Sequence, residues 1–112
     1  MKGEQYLTKK AQFQAVYDGG RTLANRHVVV KVLPNELDIS RYGFTVSRRV
    51  GKAVVRNRVK RRLREIIRRT GLRPGWDFII IARTPAARAE YGELAGAVRK
   101  GLDRAGLTAG GQ

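Results

Sequence analysis

Ala53-Val54-Val55-Arg56-Asn57-Arg58-Val59-Lys60-Arg61-Arg62-Leu63-Arg64-Glu65-Ile66-Ile67-Arg68-Arg69-Thr70 is the stretch on which the reading of this chain turns. At about 100° per residue, Val55, Val59, Leu63 and Ile66 fall on one side of a helix, with Ile67 at the margin. Asn57, Arg61, Arg64 and Arg68 form a ridge on the opposite side. Arg58, Arg62 and Arg69 flank that ridge one way, and Arg56 and Lys60 the other. Such a helix buries an aliphatic stripe and presents a cationic ridge. Like charges three and four apart repel by a few tenths of a kcal/mol per pair, and cations at a helix N-terminus oppose its dipole. An anion would relieve both penalties; the plainer reading is a solvated face.

Outward from this helix, Gly71 and then Pro74-Gly75 close it. Trp76 to Ala82 is nearly all apolar, as a strand covered on both faces should be. On the other side, Ile39 to Ser47 reads as a strand with Phe44 and Val46 on one face. His27 to Leu33 alternates, sending Val28, Val30 and Val32 one way and His27, Val29, Lys31 and Leu33 the other. Arg21 to Ala24 reads as a short strand. Thr8 to Asp18 reads as a helix with Thr8 as N-cap and Phe13, Val16 and Tyr17 on one side, stopped by Gly19-Gly20. Thr84-Pro85 has the cap and first-turn proline of a last helix, in which Tyr91, Leu94, Ala95, Val98 and Leu102 recur at helical spacing. The order is α-β-β-β-α-β-α: one α/β domain over residues 1–112, a small sheet packed with helices, with frayed ends expected at 1–7 and 107–112.

The 112 residues include 24 Lys or Arg against 9 Asp or Glu, a net charge of +15. Eleven of the 24 lie between Arg48 and Arg69, where Glu65 is the one opposing charge. So basic a domain points to a polyanion, and the excess of Arg over Lys favours phosphate forks and base stacking, hence nucleic acid. With no cysteine and one histidine, disulfides, thiolate zinc sites and a histidine cage are excluded. No apolar run approaches the roughly 20 residues of a membrane span, and no secretory leader is visible; the expected setting is cytoplasmic, with no membrane partner. No nucleophile–base set stands out, His27 stands alone, and Asp77 reads as an edge or turn residue. No catalytic residue, metal ligand or small-molecule cofactor is assigned.

Ser47-Arg48-Arg49-Val50-Gly51-Lys52-Ala53-Val54-Val55-Arg56-Asn57-Arg58-Val59-Lys60-Arg61-Arg62-Leu63-Arg64-Glu65 closely resembles the signature of the bacterial ribonuclease P protein subunit. Its core is the triplet Arg56-Asn57-Arg58 followed by Lys60-Arg61. Lys9 to Gly20, Ala24-Asn25-Arg26 and Ile79-Ile80-Ile81-Ala82-Arg83 are similar to other segments of that family. The resemblance implies an RNA-binding cofactor of a catalytic RNA, which removes the 5′ leader from precursor transfer RNA with Mg²⁺. It implies an α/β sandwich in which the basic helix joins two parallel strands by a left-handed crossover. Sequence physics alone would have chosen the right-handed form.

The resemblance also implies two RNA surfaces. Toward the catalytic RNA it places Arg48, Arg49, Lys52, Arg56, Asn57, Arg58, Lys60, Arg61, Arg62, Arg64 and Arg68. Asn57 either bonds RNA or orders the loop before the helix. Toward the single-stranded leader it places Phe13, Tyr17, Val29 and Lys31 in a central cleft. Phe13 is equally readable as helix-to-sheet core, and relatives often carry an aromatic where Lys31 stands. Competing readings are a ribosomal or other structural RNA-binding protein, and a DNA-binding regulator. Against the regulator, no second helix of a helix-turn-helix unit is present.

Overall fold

Strand burial organises the molecule. In the computed structural model, which describes residues 5–108, the elements are α1 (Lys10–Gly19), β1 (Arg21–Ala24), β2 (Val28–Pro34), β3 (Arg41–Thr45), α2 (Ala53–Arg68), β4 (Trp76–Ala82) and α3 (Tyr91–Ala105). Short 3-10 turns at Arg48–Val50 and Thr84–Ala87 join them. The sheet order is β1-β2-β4-β3, with β3 parallel to β4 and the other pairs antiparallel. β4 is thus internal, and Phe78, Ile79 and Ile80 are fully buried. Each such side chain contributes about 1.5–3 kcal/mol by leaving water.

The two sheet faces have different covers. Val28, Val30, Val32, Phe78 and Ile80 form one large core with Val59, Leu63, Ile66 and Ile67 of α2 and Leu94, Val98 and Leu102 of α3. On the other face, Ile79 meets Val16 of α1 and Leu7, with Phe13, Leu33 and Ile81 packed against them. Gly43 of β3 seats Phe13: a Cβ there would stand 2.6 Å from Phe13 Cε1 and 2.7 Å from Cζ. Phe13 is therefore core on one side of its ring and only half-buried overall.

The structure moves several expected boundaries. Helix α1 starts at Lys10 with Lys9 as its cap, because Gln12 Oε1 reaches back to accept the amide N–H groups of Thr8 (2.8 Å) and Lys9 (2.9 Å). The Thr8 hydroxyl is not needed there. Thr84-Pro85 opens a 3-10 turn and not the last helix. Helix α3 begins at Tyr91, and Glu93 Oε1 accepts the N–H of its cap, Glu90, at 2.9 Å.

The ends are not frayed where they are described; residues 1–4 and 109–112 of that expectation lie outside the described residues. Leu7 is buried and donates its N–H to Tyr42 O at 2.9 Å. Leu107 is fully buried beyond Gly106, whose φ of 86° suits glycine. Leu107 N–H reaches Leu102 O at 2.9 Å and Gly106 N–H reaches Asp103 O at 3.0 Å. This is a Schellman closure, in which the residue after the glycine packs back on the helix.

Asp77 is neither edge nor turn. It lies inside β4, buried, opposite Arg41 in the parallel register. Arg41 Nε and Nη2 donate to its two oxygens at 2.8 and 2.7 Å, and Asn35 Nδ2 donates at 2.8 Å. That fork raises the pKa of Arg41 above its ordinary value, against the opposing effect of burial. A carboxylate so satisfied is structural. Among the described residues, no helix is long and apolar enough to cross a membrane.

Substituting Gly43→Ala should destabilise the fold by about 1–3 kcal/mol, because the added methyl would overlap the Phe13 ring and force it to shift. Urea denaturation checks this; an unchanged midpoint would mean that Phe13 is not seated on Gly43.

Candidate nucleic-acid interface

Helix α2 forms as its pattern predicts. Val59, Leu63, Ile66 and Ile67 are buried and Val55 is half-buried, while Asn57, Arg61 and Arg68 are exposed. Arg64 on the ridge and Lys60 on its flank are half-buried. The first turn carries no acidic residue, and its cap, Lys52, offers no side-chain acceptor. Arg48, Arg49 and Lys52 are exposed on the approach to the helix. The exposed pair Arg69–Glu65, 3.0 Å apart, offsets little of this charge.

Three of the expected contact residues are engaged with the protein's own backbone. Arg56 Nε donates to Gly51 O at 3.1 Å, Arg58 Nη2 to Ala87 O at 3.1 Å and Arg62 Nη1 to Ala89 O at 3.1 Å. A helical wheel treats all arginines on a flank alike; only the tertiary path of residues 84–90 separates Arg58 and Arg62 from Arg61 and Arg64. One residue escapes the wheel altogether. Val54 is 77% exposed amid the cations of the first turn. Its position off the aliphatic stripe was the signal for it.

Phe13, Tyr17, Val29 and Lys31 come together on the α1 face of the sheet, opposite the face that carries α2. Val29 pairs with Ile81 and Ala24, and Lys31 with Ile79 and Thr22. Tyr17, 36% exposed, places its hydroxyl 3.0 Å from Thr45 Oγ1, across the sheet on β3. Lys31 Nζ donates to Thr22 Oγ1 at 2.7 Å. The face therefore presents an aromatic edge, aliphatic floor and a tethered cation, the elements of a single-strand platform. Thr22, Thr45 and Ile81 join it through strand register, which no local pattern in the sequence reveals.

The described residues contain no cluster of three His, Asp or Glu side chains placed to hold a metal ion. What the arrangement can do is bind anions on the α2 ridge and stack planar groups on the opposite face.

Comparison with known proteins shows the family and the fold. The family model described as Ribonuclease P matches residues 1–106. The chain is 44% identical over 105 residues to the ribonuclease P protein component of Dehalococcoides mccartyi strain 195, covering 94% of this chain and 88% of the relative. It is also 44% identical over 110 residues to that of Symbiobacterium thermophilum, covering 96% of each. Among solved structures, the Staphylococcus aureus RNase P protein superposes with a TM-score of 0.83 at 34% identity, over 96% of this chain and 99% of that one. The RNase P protein from Thermotoga maritima gives 0.82 at 31% identity, over 89% and 96%.

Inorganic phosphate should raise the melting temperature more than chloride at matched ionic strength, by docking on the ridge as well as screening it. The excess should shrink in an Arg61→Ala, Arg64→Ala variant. An excess that the variant leaves untouched would be bulk salting-out and not ridge binding.

Proposed function

The chain belongs to the ribonuclease P protein family, and from that membership we infer how it divides its surface between two RNAs. As the protein subunit of a ribonuclease P, it works with a catalytic RNA that removes the 5′ leader from precursor transfer RNA. The ridge of Asn57, Arg61, Arg64 and Arg68, with Lys60 and the approach residues Arg48, Arg49 and Lys52, lies against the catalytic RNA and contacts its phosphates. The face of Tyr17, Val29 and Lys31, bounded by Phe13, receives the single-stranded leader. Tyr17 stacks on a base, and Lys31 neutralises a backbone phosphate close to it.

One observation carries this reading: the cationic ridge and the aromatic face stand on opposite sides of one sheet. A protein so built can hold two polyanions at once without bringing their backbones together. Bond chemistry, in this reading, rests with the catalytic RNA and its Mg²⁺. The protein contributes neutralised charge and a fixed geometry. It thereby lowers the Mg²⁺ needed to hold leader and catalytic RNA near each other. Membership of this family replaces the ribosomal and DNA-regulator readings.

Reconstitution tests it. Protein added to catalytic RNA should let precursor transfer RNA be cut at lower Mg²⁺, while the protein alone cuts nothing. Tyr17→Ala should weaken leader binding by about 1–3 kcal/mol and leave catalytic-RNA binding intact. The pair Arg61→Ala, Arg64→Ala should do the reverse. Equal losses in both assays from either variant would sink the two-face division.

A further inference from the structure

The cationic surface extends past α2 to a second place, and two of the α2 arginines help to build it. The turn between β1 and β2 is locked by one residue. Asn25 Oδ1 accepts the N–H groups of His27 and Val28 at 3.0 and 3.1 Å. Its Nδ2 donates to Ala97 O of α3 at 3.0 Å, and its own carbonyl accepts Arg83 Nη1 at 2.8 Å. With the Asn25 side chain so occupied, the turn presents Arg26, which is exposed, and His27 beside it. The opposing wall is the bend Ala87–Ala89. Arg58 grips its first carbonyl and Arg62 its last, and Arg88, exposed, lies between. The Arg58 Nε is buried without a hydrogen-bond partner, so the grip of Arg58 on the bend runs through Nη2.

Arg26, Arg49 and Arg88 line one open cleft of ≈ 700 Å³, in which Glu93 is the one carboxylate. A smaller hollow of ≈ 300 Å³ shares Arg26, His27 and Glu93 and continues past Gly96 and Ala97 to Lys100. Together they form a trough with cations along its length and Ala87, Ala89, Gly96 and Ala97 in its walls. Small residues let a bulky backbone come close. Three guanidiniums share one carboxylate there, which leaves a net positive charge that an entering anion would offset. The trough is open and elongated, which suits a chain of phosphates better than one small anion.

We propose that Arg58 and Arg62 are positioning residues, which clamp the Ala87–Ala89 bend from within the fold. Arg88 then joins Arg49 and Arg26 in a trough that takes an RNA phosphodiester backbone. This surface continues from the approach residue Arg49 and so faces the same catalytic RNA; it is separate from the Tyr17 face, and it rests on the reading of the chain as an RNA-binding subunit.

The test uses the full chain with two probes, catalytic RNA and a single-stranded leader oligonucleotide joined to transfer RNA. Affinity is measured across salt. Arg26→Ala with Arg88→Ala should reduce the magnitude of the log–log salt slope by about 1.4–1.8, or about 0.7–0.9 per lost phosphate contact. The loss should appear with catalytic RNA; a loss confined to the leader probe overturns that assignment. Arg58→Lys keeps a positive charge but not the reach of the clamp. It should weaken the same binding in the parent chain and add nothing in an Arg88→Ala background. Should Arg58→Lys fail to fold, Arg62→Lys serves in its place, and the exposed pair Arg26 and Arg88 does not depend on either.

Unchanged slopes with both probes overturn the trough. Full additivity of Arg58→Lys and Arg88→Ala overturns the clamp. If parent protein does not assist catalytic RNA at all, the subunit reading itself fails, which is a separate result.

Discussion

The burial of β4 on both faces is the constraint from which the rest follows. A strand with Phe78, Ile79 and Ile80 withdrawn from water cannot be an edge, so it must have a neighbour on either side and a layer above and below. β2 and β3 supply the neighbours. Helices α2 and α3 supply one layer, and α1 with Leu7 the other. The aliphatic stripe of α2 has to face this sheet, which forces its charged ridge outward. The single helix on the far side is too small to cover that face, and what it leaves open is the aromatic platform. Both proposed RNA surfaces are thus by-products of covering one strand.

Electrostatics runs against this scheme and is handled locally. A charge of +15 repels itself at every approach of two helices. Where arginines meet the interior, they are matched to fixed acceptors: Arg41 to the buried Asp77 carboxylate, Arg58 and Arg62 to backbone carbonyls. Arginine serves here because its planar fork makes directed bonds while keeping its charge. The stretch therefore holds two kinds of arginine under one letter: some, such as Arg61, are exposed, and others, Arg58 and Arg62, bond the chain's own backbone.

That distinction marks how far the sequence could be read. The stripe of α2, the alternation of Val28, Val30 and Val32, and the apolar run of β4 were all legible, because each is a local period imposed by burial on one or two faces. The ridge residues Arg61, Arg64 and Arg68 followed from the same wheel. What was not legible depends on partners distant in sequence. Asp77 needed Arg41 in parallel register, Thr45 needed Tyr17 from α1, and Arg58 needed the carbonyl of Ala87. The burial of Leu107 is illegible for a subtler reason: it stands between Gly106 and Thr108, outside any apolar period, yet it packs back after a left-handed Gly106. The crossover of α2 between parallel strands came from family resemblance and not from any pattern in the chain.

The strand order has a consequence in time. β2 pairs with β4 and not with β3, so the middle of the sheet stays open until the chain has been made past Ala82. Before then the β1–β2 hairpin has no second neighbour, and isolated hairpins are marginal. The stripe of α2 likewise has only part of its core to dock on, because Phe78 and Ile80 of β4 and the apolar side of α3 are still missing. A growing chain therefore exposes its most basic helix, with an unpaired apolar side, for as long as its synthesis takes to reach β4. Contacts this distant in sequence form late and together. The ridge, the platform and the core should therefore be acquired as one cooperative event once β4 is available, and a nascent chain stopped before β4 would own the charge without the shape.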